Sequence, residues 1–404
     1  MILRVFRAAR SVILAAHENQ TTETQRAQRP SGILRALRAS VVMSGAVWAL
    51  ALSSWILLGC GAPQPTPARP GDAAVRIESG LIVGVQGDAA VKRAGWRDYA
   101  PALFGAPLRR GDLLRLGSAG RATVACADLK LATVEGGVSG YPCQTAPRTP
   151  LVYEGTLLNP TRGDSGSGDY PLVISPRKTK LLNPRPVLRW QPMPGARSAI
   201  VSLQGTNWVT EVSGVSELPY PENAPALQPG VNYRLVVTTG DWSSNEEPGA
   251  GLGFSVIGAE EAKAVREAEA KIRALGLAEI ATALLISNVY ATNGLVAESI
   301  EGLERLPGLQ EPAVSRLLGD LYVSTGLNRL AEERYVTALA RSEALNDVEG
   351  QAQAHHALGR VYDALGNPAD ARRHLSDALA LYDRLGDAKK AAEAKAQLDA
   401  LPKP

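Results

Sequence analysis

The chain has 404 residues, of which 45% are hydrophobic and 21% are charged, as is typical of globular domains. The formal charge is +3, but residues 1–59 hold seven arginines and two glutamates, which leaves 36 basic and 38 acidic residues in the remainder. The body of the chain therefore lacks the overall positive charge that marks a nucleic-acid-binding protein, and we expect no nucleic-acid partner.

The first feature in chain order is an uncharged apolar run over residues 39–59, preceded by two arginines. A basic segment followed by an apolar one is typical of a secretory signal. The run ends in the sequence LLGC, residues 57–60, which resembles the lipobox of bacterial lipoproteins. This resemblance implies that residues 1–59 are a leader and that Cys60 carries a diacylglycerol, which anchors the protein firmly at a membrane.

Residues 60–74 are rich in proline and glycine, so they cannot build a core and are predicted to be an extended tether. The alternative for the apolar run is an uncleaved transmembrane helix, because 21 residues can span about 30 Å of hydrocarbon. We favour lipidation because the cysteine stands at the end of the run and the tether follows it. The predicted location is extracytoplasmic, on the cell membrane or outer membrane.

Residues 75–150 contain short apolar stretches separated by glycine turns, which predicts an all-β unit. Within this unit stand Val91, Lys92, Arg93, Gly105, Leu108, Gly111, Asp112, Ser118, Ala119, Ala122 and Asp128. In these residues the unit resembles a FecR-like domain, although Leu129 stands where that family usually has glycine. The resemblance implies an extracytoplasmic β-module.

The chain has three cysteines, and two of them, Cys126 and Cys143, fall in this predicted β-unit. One lipidated thiol plus one disulfide fits an oxidising compartment, so we predict a Cys126–Cys143 bridge. Two free buried thiols are the alternative. A cysteine metal site is disfavoured because the sequence has no Cys-x-x-Cys pair and no histidine nearby, and no cofactor is predicted.

Residues 151–169 are predicted to be a linker, because their second half is rich in glycine, serine and aspartate. Residues 170–257 contain Trp190, Leu227, Pro229, Gly230, Tyr233, Leu235 and Val237. In these residues the segment resembles a fibronectin type III or immunoglobulin-like β-sandwich, and the resemblance implies that Trp190 lies in the core. Trp208 and Trp242 are either ligand-stacking residues or residues that pack at strand edges.

Residues 258–404 are dominated by alanine, glutamate, leucine and arginine with a helical period. A set of seven residues recurs after forty positions, which indicates a helical solenoid. The two copies are Leu318, Gly319, Tyr322, Gly326, Ala331, Tyr335, Ala338 and Leu358, Gly359, Tyr362, Gly366, Ala371, Leu375, Ala378, with a weaker copy at Tyr290, Gly294, Ser299 and Leu303. This spacing resembles a lengthened tetratricopeptide (TPR) helix-turn-helix, and a capping helix is predicted over 389–401.

In TPR arrays the first helix of each pair lines a concave groove. The resemblance therefore implies a groove that binds a mixed-charge protein segment, and the alternative is a solvated face without a ligand. The lysine and asparagine set that clamps a C-terminal carboxylate in some TPR proteins is missing. The groove residues carried over are Ala313, Arg316, Asp320, Val323, Ser324, Gln353, His356, Arg360, Asp363 and Ala364.

No motif of a hydrolase, a nucleotide-binding loop or a metalloprotease occurs, so we predict that the protein is not an enzyme. His355 and His356 are neighbours on one predicted helix and point in different directions, so no metal site is predicted. The sequence predicts a multidomain fold, an all-β FecR-like module and a β-sandwich followed by an all-α TPR array. The predicted function is a membrane-anchored interaction scaffold for protein partners, and the alternative is a glycan- or envelope-binding protein whose β-domains carry the binding.

Overall fold

The computed structural model describes residues 79–143, 152–153, 170–247 and 251–403. The predicted leader 1–59, Cys60 and the predicted tether 60–74 lie outside the described residues. The predicted linker 151–169 also lies outside them, apart from Val152 and Tyr153. Within the described ranges, no helix combines the length and the apolar character needed to cross a membrane.

The first β-region is one sheet of six strands in which all paired strands run antiparallel. Its longest strand alternates exposed and buried residues, so that Leu114, Leu116, Ala122 and Val124 point into the core as a two-residue period requires. The strands are β1 (Ser79–Gln86), β2 (Ala89–Lys92), β3 (Ala100–Pro101), β4 (Pro107–Arg109), β5 (Leu113–Ala125) and β6 (Leu131–Ser139).

The turn between β5 and β6 forms although Leu129 replaces glycine in it. Leu129 adopts a left-handed conformation with φ of 61°, and its N–H donates to the Cys126 carbonyl at 2.8 Å. This conformation costs a non-glycine residue roughly 1–2 kcal/mol. The Leu129 side chain is partly buried against the core of the helical region, and burial of apolar surface stabilises the fold.

The end of β5 is tied to the chain that follows β6. The sulfur atoms of Cys126 and Cys143 lie 2.00 Å apart, which confirms the predicted disulfide. A bridge that closes a loop of this length stabilises a fold by about 3 kcal/mol in the chain-entropy account.

The second β-region consists of two sheets. One has the order β11-β10-β13-β15-β8 with β14 beside β13, and the other has the order β12-β9-β7. All paired strands are antiparallel except β15 and β8, which run parallel. The strands are β7 (Leu172–Ser175), β8 (Thr179–Leu181), β9 (Val187–Gln191), β10 (Ser198–Gln204), β11 (Val209–Ser213), β12 (Glu217–Pro219), β13 (Asn232–Thr239), β14 (Trp242–Ser243) and β15 (Phe254–Val256).

One hydrophobic core collects side chains from both of these sheets, and Trp190 is its largest member, 2% exposed. The hydroxyl of Tyr233 accepts a hydrogen bond from the Gln228 N–H at 2.8 Å, which ties β13 to the turn before it. The two other tryptophans differ. Trp208 lies edge-on to Tyr220 at the margin of the core, whereas Trp242 is 48% exposed.

From residue 259 the described chain is helical, and successive helices pack against each other. The eight helices in the described ranges are α1 (Ala259–Ala274), α2 (Glu279–Thr292), α3 (Val296–Glu304), α4 (Pro312–Thr325), α5 (Asn328–Ala344), α6 (Val348–Ala364), α7 (Pro368–Leu385) and α8 (Ala388–Ala400).

Start and stop signals in the sequence explain where these helices begin and end. Gly326 and Gly386 adopt left-handed conformations at the ends of α4 and α7, as C-terminal glycines do. The side chains of Asp347, Asn367 and Asp387 accept backbone N–H groups in the first turns of α6, α7 and α8. Such N-caps satisfy donors that the helix itself leaves unpaired.

The repeat residues pack one helix of a pair on the other. A Cβ added at Gly319 would lie 2.5 Å from Tyr335, and one at Gly359 would lie 2.6 Å from Leu375. The two glycines therefore allow the same close approach in both repeats, although the residue opposite differs. The other repeat positions are buried except Gly366, which is exposed in its turn, and Tyr362, which is partly buried and stacks on His374.

The helical array packs on both β-regions. Leu81, Val83 and Ala125 of the first β-region share one hydrophobic core with α2, α4 and α6. In the second β-region, buried Arg177 pairs with Glu247 at 2.6 Å and donates from Nε to a carbonyl at the end of α4. All described residues thus belong to one compact unit.

We expect Gly319→Ala to destabilise the protein by about 1–3 kcal/mol, because the added methyl group overlaps the Tyr335 ring. Gly302→Ala is the matched control, since Gly302 also lies inside a helix but an added Cβ there makes only an ordinary contact, 3.7 Å from Ser287. This control is expected to gain up to about 1 kcal/mol from helix propensity. Denaturant unfolding measures both, and the same sign for the two variants would contradict the close packing.

Asp347 gives a pH-dependent prediction. Burial raises the pKa of Asp347 to about 6, and Glu349 adds to this while the Gly350 N–H opposes it. Because the unfolded pKa is about 3.9, the group stabilises the folded state fully below that pH, and this contribution is lost as the pH rises through 6. The variant Asp347→Asn keeps a capping oxygen but cannot ionise. We therefore expect its free energy of unfolding, relative to that of the wild type, to rise by about 2 kcal/mol between pH 4 and pH 7.

The variant Asp370→Asn is expected to lose stability relative to the wild type as the pH rises, which is the opposite pH dependence. Hydrogen bonds from Asn367 and Arg373 lower the pKa of Asp370, so its contribution is present above the unfolded pKa and is lost in acid. Urea unfolding at a series of pH values measures both variants. A stability difference between Asp347→Asn and the wild type that does not change with pH would contradict the buried carboxyl.

Candidate functional site

The residues predicted to line the TPR groove lie on α4 and α6, and the structure brings part of this set together. Arg316, Gln353, His356 and Arg360 line one cavity. Ala313 and Arg316 lie beside Gln353 in a smaller cavity next to it. The predicted groove residues outside both cavities are Asp320, Val323, Ser324, Asp363 and Ala364.

This side of the array faces the first β-region of the same chain. Gly105, in a left-handed conformation, packs directly against Ala313 of α4, and an added Cβ there would also lie 3.2 Å from Leu284. Phe104 and Leu129 pack on the same hydrophobic core from the β side. The predicted groove is therefore covered over part of its length by the chain itself.

Buried Arg93 holds the first β-region on α6. Its Nη1 lies 2.8 Å from Asp112, and Nε and Nη2 donate to the two carboxylate oxygens of Glu349 at 3.1 and 2.8 Å. Nη1 also donates to the Pro107 carbonyl. Burial by itself lowers the pKa of Arg93, but Glu349 and Asp112 together raise it above its ordinary value. The guanidinium is thus a fully paired cation between two domains.

A second contact lies at the turn between α7 and α8. The Trp96 indole donates to Asp387 at 3.1 Å, and the backbone N–H of Arg97 donates to the Leu385 carbonyl at 3.3 Å. Trp96 is 5% exposed and packs in a core with Tyr382. The β-region is therefore fixed to the array at two points.

Val152 and Tyr153 enter the predicted groove. Val152 is 6% exposed and belongs to the core of the array, and the Tyr153 N–H donates to the Asn288 side chain at 2.8 Å. Burial raises the pKa of Tyr153, Asp320 adds to this, and a hydrogen bond with Ser324 opposes it. Two predicted groove residues thus face a tyrosine of the same chain, in a segment that the sequence assigned to a linker.

Asp320 has an internal role in the array. It is 0% exposed, accepts the Tyr335 hydroxyl at 2.7 Å and pairs with Arg316 at 3.3 Å. Burial raises the pKa of Asp320, while Arg316 and the Tyr335 hydrogen bond oppose that rise. Its carboxylate therefore joins helices of the array and does not reach an external partner.

The cavity between the first β-region and the array has a volume of about 330 Å³, and we call it the inter-domain cleft. Basic side chains outnumber acidic ones on its walls, and Trp96, Tyr153 and Tyr382 add aromatic surface. Burial lowers the pKa of His356 to about 4, although a hydrogen bond with Gln397 opposes this, so His356 is neutral at pH 7. The basic residues are Arg93, Arg109, Arg110, Arg316, Arg360, Lys389 and Lys390, and the acidic ones are Asp112, Glu349 and Asp387.

Two other cavities fit a partner less well. The small one beside Gly105, of about 50 Å³, has room for little more than a water molecule or two. One of about 500 Å³ lies between α2 and α3, and its lining carries Arg273 and Arg305 against three glutamates. Only the inter-domain cleft, among these, combines predicted groove residues with an excess of one charge.

Part of the helical array matches a known protein family. Residues 310–384 match the family model of the tetratricopeptide repeat, which confirms the predicted repeats in this stretch. No curated protein matches the sequence.

Two crystal structures of nearly identical TPR-like repeats, from a Podosopora anserina protein named as a kinesin light chain, are similar to part of the chain. One has 19% identity and a TM-score of 0.30 over 34% of this chain and 76% of that chain. The other has 20% identity and a TM-score of 0.26 over 35% and 86%. From the family match and the fold, the described chain has a β-rich N-terminal region followed by eight helices that contain tetratricopeptide repeats.

Proposed function

We propose that this protein is a lipid-anchored extracytoplasmic scaffold that binds a protein partner through an acidic segment placed in the inter-domain cleft. The observation that carries the proposal is the excess of basic side chains on the walls of this cleft, where the predicted groove meets the first β-region. A smaller excess remains when Arg316 and Lys390 are set aside, which pair with Asp320 and Glu393. Tetratricopeptide repeats are binding modules built of stacked helix pairs, which supports a protein as the partner.

The chemistry of the cleft favours carboxylates. Arginine binds carboxylates with paired N–H donors, and a partly desolvated site strengthens this attraction. The volume of about 330 Å³ is at the lower end of ligand pockets, so a short segment of two or three side chains fits it better than a folded surface.

The cleft is also preformed. Arg93 and Trp96 fix the β-region on α6 and on the α7–α8 turn, so its walls do not have to assemble when a partner arrives. Binding to a preformed site costs less conformational entropy, because its side chains and loops are already ordered.

Exposed charges at the rim of the cleft allow a direct test. We expect Arg110→Glu/Lys389→Glu to weaken partner binding at least tenfold, because each change replaces an attraction by a repulsion and about 1.4 kcal/mol is tenfold. A photo-crosslinking residue at Gln353, inside the cleft, reports partner adducts in the native cell. Point variants are sharper than deletion of 258–404, which would expose the shared core.

The matched control is Lys263→Glu/Lys271→Glu, which makes the same charge change on the exposed face of α1. Adducts should persist in this control, and the thermal unfolding temperature should show that all variants fold. Equal adduct yields in the cleft variant and the control would refute the cleft as the binding site.

The second candidate function is glycan or envelope binding by the β-regions. The observation in its favour is Trp242, which is 48% exposed on a short hairpin strand and offers a flat aromatic surface. Polysaccharide binding is measured on the same variants and on Trp242→Ala. Binding that survives Arg110→Glu/Lys389→Glu and is lost in Trp242→Ala would favour this function.

The lipid anchor rests on the lipobox resemblance at Cys60, and the disulfide Cys126–Cys143 agrees with an oxidising compartment. We expect a metabolic fatty-acid probe to label the wild type and not Cys60→Ala. The control Cys126→Ser/Cys143→Ser should keep the label. An unlabelled wild type that remains in the membrane fraction would mean a helical anchor instead.

A further inference from the structure

Three side chains with metal-ligating atoms converge between α6 and α7, outside the inter-domain cleft. The Nδ1 atom of His355 lies 2.9 Å from Nδ1 of His374 and 3.6 Å from Oδ2 of Asp377. All three ligand atoms lie within 4.8 Å of one another. Among the residues that the structure describes, this is the group of histidine, cysteine and carboxylate side chains with the spacing of a metal site.

The repeat explains why these residues meet. His374 and Asp377 are three positions apart on α7 and therefore lie on one face of that helix. His355 comes from α6. This helix approaches α7 closely because Gly359 of α6 has no side chain and Leu375 of α7 packs directly against it. The three groups are thus held by two packed helices, which gives the arrangement a rigid base.

The distances suit a tetrahedral ion. With metal–nitrogen bonds of 2.0–2.1 Å, neighbouring ligands of a tetrahedral site lie about 3.3 Å apart. The separations of 2.9 and 3.6 Å from His355 bracket this value, and the third pair, His374 and Asp377, lies within 4.8 Å, so side-chain adjustments must bring that pair to the tetrahedral spacing. The two imidazole nitrogens are borderline donors and the carboxylate oxygen is a hard one. Because nitrogen donors predominate, the set suits zinc and its first-row neighbours better than calcium or magnesium.

The surroundings leave a path for entry. Asp377 is half exposed, with 50% of its side chain accessible, whereas His355 and His374 lie deeper. Tyr362 stacks on the His374 ring at 5.3 Å and holds its plane. Arg373 approaches Nε2 of His374 at 3.4 Å, but it also pairs with Asp370, so its charge is partly neutralised.

We propose that His355, His374 and Asp377 form a binding site for a divalent transition-metal ion, zinc in the first place, with one coordination position open to solvent. The ion joins α6 to α7 in the last full repeat. The competing explanation is a proton in place of the ion: a single Nδ1–H···Nδ1 hydrogen bond between the two histidines accounts for the 2.9 Å separation without a metal.

The test uses the untagged full chain in detergent. Chelator-stripped protein is titrated with Co²⁺ and then with Zn²⁺ as competitor. We expect one equivalent of Co²⁺ to bind with the visible absorption of a tetrahedral site, and Zn²⁺ to displace it. His374→Gln and Asp377→Asn should each weaken binding at least tenfold, since loss of even an outer-shell partner costs 10- to 100-fold.

His356→Gln is the matched control, because His356 is adjacent in sequence but pairs with Gln397 and lies outside the cluster. Its affinity should equal that of the wild type. Zn²⁺ should raise the thermal unfolding temperature of the wild type and of His356→Gln, but not of half-exposed Asp377→Asn.

Two results would overturn the proposal. One is a wild type that binds no stoichiometric Co²⁺ or Zn²⁺. The other is binding that His374→Gln and Asp377→Asn leave intact. A lower unfolding temperature of His374→Gln that does not depend on zinc, together with either result, would establish the histidine–histidine hydrogen bond instead.

Discussion

The buried guanidinium of Arg93 is the contact on which the placement of the first β-region depends. Hydrophobic packing of residues such as Leu81 and Val83 on the array supplies most of the stabilisation, but burial of apolar surface has no direction. A buried cation is different, because leaving it unpaired costs several kcal/mol. The arrangement that brings Glu349 opposite Asp112 pairs the Arg93 guanidinium on both sides, and this arrangement fixes the walls of the inter-domain cleft.

The covered groove changes how the array is expected to recognise a partner. Gly105 and Tyr153 lie against the face that a free TPR array would offer, and Asp320 is occupied within the array. What stays open is the cleft between this face and the β-region, where both domains contribute charges. Recognition in the proposed function is therefore a property of the two domains together, and an isolated array would present a different surface.

The sequence predicts well what local packing determines. Gly319 and Gly359 must be small because large side chains pack against them, and a left-handed glycine must end α4. These requirements recur at a fixed spacing, which makes the repeat recognisable. The Cys126–Cys143 pair followed from cysteine count and position.

Contacts between domains left no such pattern. Arg93 and Glu349 are 256 residues apart, and each looks like an ordinary surface charge. Val152 lies in a predicted linker, yet it is buried in the array. The sequence predicts no metal site because the neighbours His355 and His356 point apart, whereas the structure brings His355 against His374 on the next helix, 19 residues away.

Helix α6 is the element that these interactions share, and its geometry explains why they do not interfere. Adjacent helical residues point about 100° apart, so His356 faces the cleft while His355 faces α7. Glu349, in the first turn of α6, holds the β-region, and Gly359, in the second half of the helix, allows α7 to approach closely. The cleft and the histidine cluster thus lie on different faces of one helix. Each face is positioned by its own buried contact, and the two sites share no side chain.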